Sequence, residues 1–349
     1  MNILLTGGAG FIGYHLSKKL VSETTKITIV DNLNDYYDIN LKLSRLKDIG
    51  FSQNTFKDNT KYQSELYDNL FFYKSDISSL DDLSNIFNNN SFDSICNLAA
   101  QAGVRYSIEN PFAYQQSNVE GFLNLLEMAR KNNIFNFSYA SSSSVYGKNT
   151  NYPFSENDSV DHPVSIYAAT KKSNELFAHA YSEIYGIRTT GMRFFTVYGP
   201  FGRPDMAYFS FTKDIYNGKS IKVFNKGDMY RDFTYVDDIV DGIISVIKKP
   251  SESDRDWDKE KKLSSSNVPY RIVNLGNNEP VKLSEFIEII EELTHKEFSK
   301  DYQPIQKGDV LKTFADIDYA KQNLGFNPKT TIKEGLSQFI SWYKSFYDC

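Results

Sequence analysis

Met1-Asn2-Ile3-Leu4-Leu5-Thr6-Gly7-Gly8-Ala9-Gly10-Phe11-Ile12-Gly13 is the stretch that decides the fold. Asn2 to Thr6 reads as a short buried strand, and Leu16, Leu20 and Val21 mark the apolar face of a helix that starts just after the glycines. Gly7, Gly10 and Gly13 therefore form a G-x-x-G-x-x-G spacing at a strand-to-helix turn. Glycines there allow a tight turn, a close approach to a pyrophosphate and close packing of helix on sheet. The helix N-terminus adds unpaired N–H groups and a positive dipole end. A second strand, Lys26 to Val30, ends in Asp31, where an acidic residue binds an adenosine ribose. Residues 32–35 hold no Arg or Lys to receive a 2′-phosphate, so the expected cofactor is NAD rather than NADP.

The rest of the chain is compatible with a large two-lobed enzyme. Its 349 residues are 40% hydrophobic, enough for one large core or two lobes. A net charge of −5 with no basic block argues against a nucleic-acid groove or an anionic membrane patch. Two cysteines cannot form a disulfide framework; Cys96 sits in an apolar run and Cys349 is the last residue. The chain opens on its first strand, with no signal-like region and no run of membrane-spanning length, so a cytoplasmic protein is expected. No metal-ligand cluster is expected.

Strands and helices alternate through the first half, which argues for a parallel sheet with helices on both faces. Residues 38–49 read as a helix, and the polar stretch 52–65 as a solvated loop. The strand Leu70 to Tyr73 leads to Asp76, placed to meet an adenine amino group. The buried strand 93–98 leads into Ala99-Ala100-Gln101-Ala102-Gly103, whose small side chains let a cofactor lie close. Residues 112–131 read as one long helix, in which Asn118 is polar among apolar neighbours: a cap, a solvent-facing residue, or one that orients the site. The strand 137–141 ends in Ser141-Ser142-Ser143-Ser144, where open α/β sheets carry their sites. Tyr167 and Lys171, four apart, share one face of a helix running to about residue 185.

A strand over 187–195 follows, then a turn-rich loop 196–206, a helix 207–217 and a strand 220–224. Residues 251–268 are charged and serine-rich and read as a mobile surface insertion. A strand near 271–275 returns to the sheet, and helices near 283–295 and 331–346 close the chain. The predicted fold is α/β, a Rossmann-like doubly wound parallel sheet with a smaller mixed α/β C-terminal substrate lobe. Residues 1–199, with returning segments near 233–248 and 271–276, form the NAD-binding part. Residues 200–232 and 277–349 are expected to form the substrate lobe.

Together, Thr6 to Gly13, Asp31, Asp76, Ser142, Tyr167 and Lys171 resemble the extended short-chain dehydrogenase/reductase superfamily over essentially the whole chain. Within it, Met192 to Pro200, Gly202 to Ala207 and Arg231 to Asp238 resemble the nucleotide-sugar 4-epimerases, above all those acting on UDP-glucuronate. The resemblance implies conversion of UDP-glucuronate to UDP-galacturonate, in service of polysaccharide biosynthesis. Hydride abstraction gives a 4-keto sugar, which rotates before hydride returns. Tyr167 would be the base, Lys171 would lower its pKa and bind the nicotinamide ribose, and Ser142 would hydrogen-bond the 4-oxygen. NAD would be held by Gly7, Gly10, Phe11, Ile12, Gly13, Asp31, Asn32, Asp76, Ile77, Leu98, Ala99, Ala100, Asn118, Tyr167, Lys171 and Phe194. The UDP-sugar would meet Ser142, Ser143, Ser144, Thr196, Arg203, Val223, Phe224, Arg231 and Asp309. Arg203 would pair with the uronate in a bidentate manner, beside Thr196 and Ser144. A homodimer through a four-helix contact is also implied.

Four alternatives compete with that reading. A dehydratase of the superfamily carries Asp-Glu after the active-site Ser/Thr, and a decarboxylase a Glu at the second position; here Ser143 and Ser144 stand there. A UDP-glucose or UDP-N-acetylglucosamine 4-epimerase is the nearest rival. A catalytically silent NAD-binding regulator fits poorly with an intact Ser142, Tyr167 and Lys171. One departure from the family pattern is Leu311, where a proline often follows the valine.

Overall fold

A computed structural model describes residues 1–22, 25–305 and 310–349. Its centre is an eight-stranded sheet in the order β11-β7-β6-β5-β1-β2-β4-β3. In chain order, β1 (Asn2–Thr6), α1 (Phe11–Val21), β2 (Lys26–Asp31) and α2 (Ile39–Asp48) come first. Then come β3 (Lys61–Gln63), β4 (Leu70–Lys74), α3 (Leu80–Asn88) and β5 (Ser94–Asn97). Two short helices follow, α4 (Tyr106–Glu109) and α5 (Pro111–Tyr114), and then α6 (Gly121–Lys131), β6 (Asn136–Ser142), α7 (Ile166–Tyr185) and β7 (Arg188–Phe194). All neighbours in this sheet are parallel except β3 against β4.

The period of two along each strand assigns its side chains to the two faces. Ile3, Leu5, Ile27 and Ile29 enter one core with Leu16 and Leu20 of α1. Leu4 and Val30 enter the other, with Leu83 and Ile86 of α3 and Leu125 of α6. Strands buried on both faces explain the continuous apolar runs in the sequence. Cys96, in β5, is one of these core residues and is fully buried.

After β7 the chain builds β8 (Thr196–Tyr198), α8 (Ala207–Tyr216), β9 (Ile221–Phe224), β10 (Tyr230–Tyr235) and α9 (Val236–Lys248). It then forms β11 (Tyr270–Leu275), β12 (Pro280–Lys282), α10 (Leu283–Thr294), β13 (Lys300–Gln303) and α11 (Ile332–Tyr347). β11 pairs with β7 and extends the large sheet, and α9 shares the core of α1. β8, β10 and β12 form a small sheet of their own, and β9 pairs with β13. No helix of the described residues is long and apolar enough to cross a membrane.

Three sequence expectations change. Within 52–65, Lys61–Gln63 is an edge strand on β4, and Phe56 is buried against Phe72. Its outward polar side chains suit an unpaired sheet edge and hid the strand. The segment 251–268 is tied down rather than mobile. Trp257 Nε1 donates to Lys262 O, Lys262 Nζ to Asp254, and Ser264 to Asn157, while Ser251 is fully buried. The helix expected over 112–131 is interrupted by a π-helical turn, Gln115–Glu120, between α5 and α6. Such wide turns re-aim side chains at functional sites.

A buried ion pair fixes α7 to the sheet. Glu175 takes two 2.9 Å hydrogen bonds from Arg193 Nε and Nη2 on β7, and one of 2.7 Å from Ser141 Oγ on β6. Burial works to raise the Glu175 carboxyl, but Arg193 outweighs it and holds the group below the usual range. Removing one partner leaves an uncompensated buried charge. Glu175→Ala is therefore expected to lower the unfolding free energy by about 3–5 kcal/mol in a denaturant titration.

Candidate active site

The carboxyl ends of β1, β2, β4, β5, β6 and β7 converge on one cleft of ≈ 680 Å³. It opens where the sheet order reverses, between β1 with its neighbour β2 and β5 with β6. Gly7 sits at φ +72°, and a Cβ there would lie 2.6 Å from the Ala99 nitrogen. A Cβ on Gly10 would lie 2.9 Å from Gly7 O, and one on Gly13 would also meet that oxygen. Side chains would thus fill the cradle. Gly10 caps α1 without a side-chain bond, which leaves the first N–H groups of that helix facing the cleft beside Phe11 and Ile12.

Asp31, at the end of β2, accepts from Ala9 N at 3.2 Å and Leu33 N at 2.9 Å. A cation does lie nearby, outside the 32–35 window: Lys42 of α2, buried, with Nζ 3.9 Å from Asp31 Oδ1 and 2.7 Å from Asn34 Oδ1. Asn32 Nδ2 donates to Asp76 Oδ2 at 2.9 Å. Burial works to raise the Asp76 carboxyl, but Asn32 and Ser78 donate to it and hold it low. Ile77, Leu98, Ala99, Ala100 and Phe194 line the same cleft. Asn118 does not line it. It is buried in the π turn, where Oδ1 accepts from Gln101 N and Nδ2 donates to Gln101 O and Thr170 Oγ1. Its place is behind the cofactor wall, bracing α7 against the loop after β5.

Ser142 ends β6 and caps the turn that follows, its Oγ accepting from Ser144 N at 3.1 Å. Tyr167 and Lys171 rise from the first turns of α7, which Ser165 caps through Ala168 N. Tyr167 and Ser142 line the same cleft. Burial raises the Tyr167 phenol, and Ser142 and then Arg203 oppose that rise. Burial draws the Lys171 ammonium down to about 8. Lys171 Nζ donates to Ala140 O at 2.9 Å. Tyr114, which the sequence did not mark, backs Tyr167 edge-on at 6.1 Å and donates to Ala102 O.

Ser143, Ser144, Thr196, Arg203, Phe224 and Arg231 line the other end of the cleft. Val223 does not: along β9 its side chain points into the core while Phe224 faces the cleft. Asp309 lies outside the described residues. Arg203 does not present an open fork. Its Nε donates to Asp205 Oδ1 at 3.0 Å and its Nη2 to Asp205 Oδ2 at 2.5 Å, and the Tyr36 hydroxyl donates to Asp205 Oδ2 at 3.2 Å. Behind this loop, Arg45 of α2 is fully buried. It donates to Ala9 O, Phe201 O, Gly202 O and the Tyr37 hydroxyl, which occupies all five of its N–H groups. Tyr36, Lys42 and Arg45 carried no local signal, because each matters through a partner that only the fold brings beside it, and Asp205 was missed although Arg203 lies two residues away.

Residues 3–259 match the NAD-dependent epimerase/dehydratase family. The chain belongs to that family. It is 51% identical over 348 residues to Protein CapI of Staphylococcus aureus, covering 99% of both chains. It is 43% identical over 352 residues to UDP-glucuronate 4-epimerase 4 of Arabidopsis thaliana, covering 99% of this chain and 76% of that one. Among solved structures, it resembles UDP-glucuronic acid 4-epimerase from Bacillus cereus in complex with UDP-glucuronic acid and NAD. There the TM-score is 0.83 and the identity 29%, over 99% of this chain and 100% of that one. The resemblance read from the sequence holds, as do the Rossmann-like fold and NAD as cofactor.

The cradle makes a direct prediction. Gly7→Ala, purified without added nucleotide, should release less NAD per chain on denaturation than the unaltered protein. Gly186→Ala, also at positive φ but with open space around it, should release the same amount as the unaltered protein.

Proposed function

We propose that this chain is an NAD-dependent nucleotide-sugar 4-epimerase and that its substrate is UDP-glucuronate, converted to UDP-galacturonate. The observation that carries the reading is that Ser142, at the end of β6, and Tyr167 of α7 line one cleft, with Ser143 and Ser144 and not acids after Ser142. A site without those acids can move the proton of a 4-hydroxyl but lacks a general acid to expel water.

Gly7, Gly10, Gly13, the first N–H groups of α1, Asp31 and Asp76 would hold the cofactor. The nicotinamide supplies a hydride acceptor and, later, donor. Tyr167 takes the 4-hydroxyl proton in one direction and returns it in the other, with Ser142 hydrogen-bonded to the same oxygen. Lys171, one helical turn from Tyr167, supplies positive charge that favours the phenolate. Ser144, Thr196 and Arg203 surround the C6 carboxylate. Donors that hold it in the sugar plane oppose loss of CO₂ from the 4-keto acid, because C–C cleavage needs that bond aligned with the carbonyl π system.

One observation favours a neutral sugar instead: Asp205 already balances the Arg203 charge. A panel of UDP-sugars read by NMR decides between them. UDP-glucuronate should turn over fastest, and a preference for UDP-glucose would overturn the uronate reading. Tyr167→Phe should lose a factor of about 10²–10⁴ in rate while still retaining NAD.

Assembly is part of the same proposal. Phe112 on α5 is 80% exposed, and Leu176 and Ile184 on α7 are 60% and 66% exposed. An apolar surface of this kind suits a second copy of the chain, with two helices from each. Light scattering should give a dimer mass at micromolar concentration, and a monomer mass would remove the dimer.

A further inference from the structure

The Arg203–Asp205 pair faces a requirement that a static binding pocket does not. In the epimerisation proposed above, hydride leaves one face of C4 and returns to the other. The cofactor stays in its cradle, so the 4-keto ring must turn, and its C6 carboxylate must travel with it. Any bond that grips the carboxylate firmly in one pose has to break at every turnover. A guanidinium with a free planar fork is the strongest such grip, because it offers two parallel charge-assisted hydrogen bonds.

Here the fork is engaged from within. Nε and Nη2 of Arg203 are both on Asp205, and the Tyr36 hydroxyl also donates to Oδ2, the oxygen that takes Nη2. The Gly202 carbonyl just before them is anchored by Arg45. Tyr36 is itself confined, since a Cβ on Gly103 would collide with its hydroxyl. Asp205 and Arg203 both line the cleft that holds Ser142 and Tyr167. We propose that Asp205 is a positioning residue that occupies the side-on Nε/Nη2 face of Arg203 and balances its charge, so that the substrate carboxylate meets only the charge-compensated Nη1/Nη2 end and the ring stays free to turn. This rests on the uronate reading. The N–H groups that Asp205 leaves still favour an acid over a hydroxyl; the internal partner keeps the hold weak.

The expectation is opposite to that for an ordinary binding residue. Asp205→Asn keeps the shape and removes the competing charge. With UDP-glucuronate, KM should fall about tenfold, the factor carried by ~1.4 kcal/mol of added pairing, and kcat should fall with it. With UDP-glucose neither should change much. Asp205→Glu, which restores the charge, should return both values toward those of the unaltered protein. On a Tyr167→Phe background, where turnover is blocked, titration calorimetry should show Asp205→Asn tightening UDP-glucuronate and leaving UDP-glucose unchanged. Should Asp205→Asn fail to fold, Asp205→Ser makes the same comparison.

Unchanged or weakened UDP-glucuronate binding in these neutral variants would overturn the role of Asp205 while leaving the uronate reading intact. Absence of UDP-glucuronate turnover in the unaltered protein would overturn the uronate reading itself, and this role with it.

Discussion

Everything at this site depends on how closely two backbones approach. Gly7 lies against Leu98 and Ala99 where β1 and β5 end side by side, with no volume left for a side chain. That contact sits at the reversal of strand order, the one place where crossovers leave in opposite directions and a crevice must open. The α1 N-terminus, Asp31 and Asp76 take their positions from it, because each follows a strand whose register is set by β1 or its neighbour.

The proposed chemistry rests on a second rigid element. Tyr167, Lys171 and Glu175 recur every four residues and so lie along one stripe of α7. The upper two face the cleft, and the third is clamped by Arg193 and Ser141. Ser141 neighbours Ser142, so the clamp that anchors the helix also fixes the strand end that carries Ser142 into the cleft. Asn118 braces the same helix from the other side through Thr170. The buried pair thus contributes geometry more than net stability, since its Coulomb gain offsets a large desolvation cost.

What the sequence made legible follows from the range of each signal. The glycine spacing, Asp31 at a strand end and the Tyr167–Lys171 interval are patterns within a few residues, and all of them converge on the cleft. Residues that act across the fold were invisible: Lys42 beside Asp31, Tyr36 on Asp205, Arg45 under the glycine loop. Arg203 was found, but its partner was not, although it lies two residues away. Two acceptors for one guanidinium cannot be ranked without coordinates. Val223 and Phe224 show the opposite limit, where a strand was placed correctly and parity alone decided which side chain reaches the cleft.

Arg45 bears on how such enzymes can be altered. One fully buried guanidinium carries the carbonyls of Ala9, Phe201 and Gly202 together with the Tyr37 hydroxyl. A loop spanning 200–206 moved into another scaffold would arrive with two carbonyls short of their donors. The heritable module is therefore the loop together with α2, two segments far apart in the chain that have to be exchanged as one.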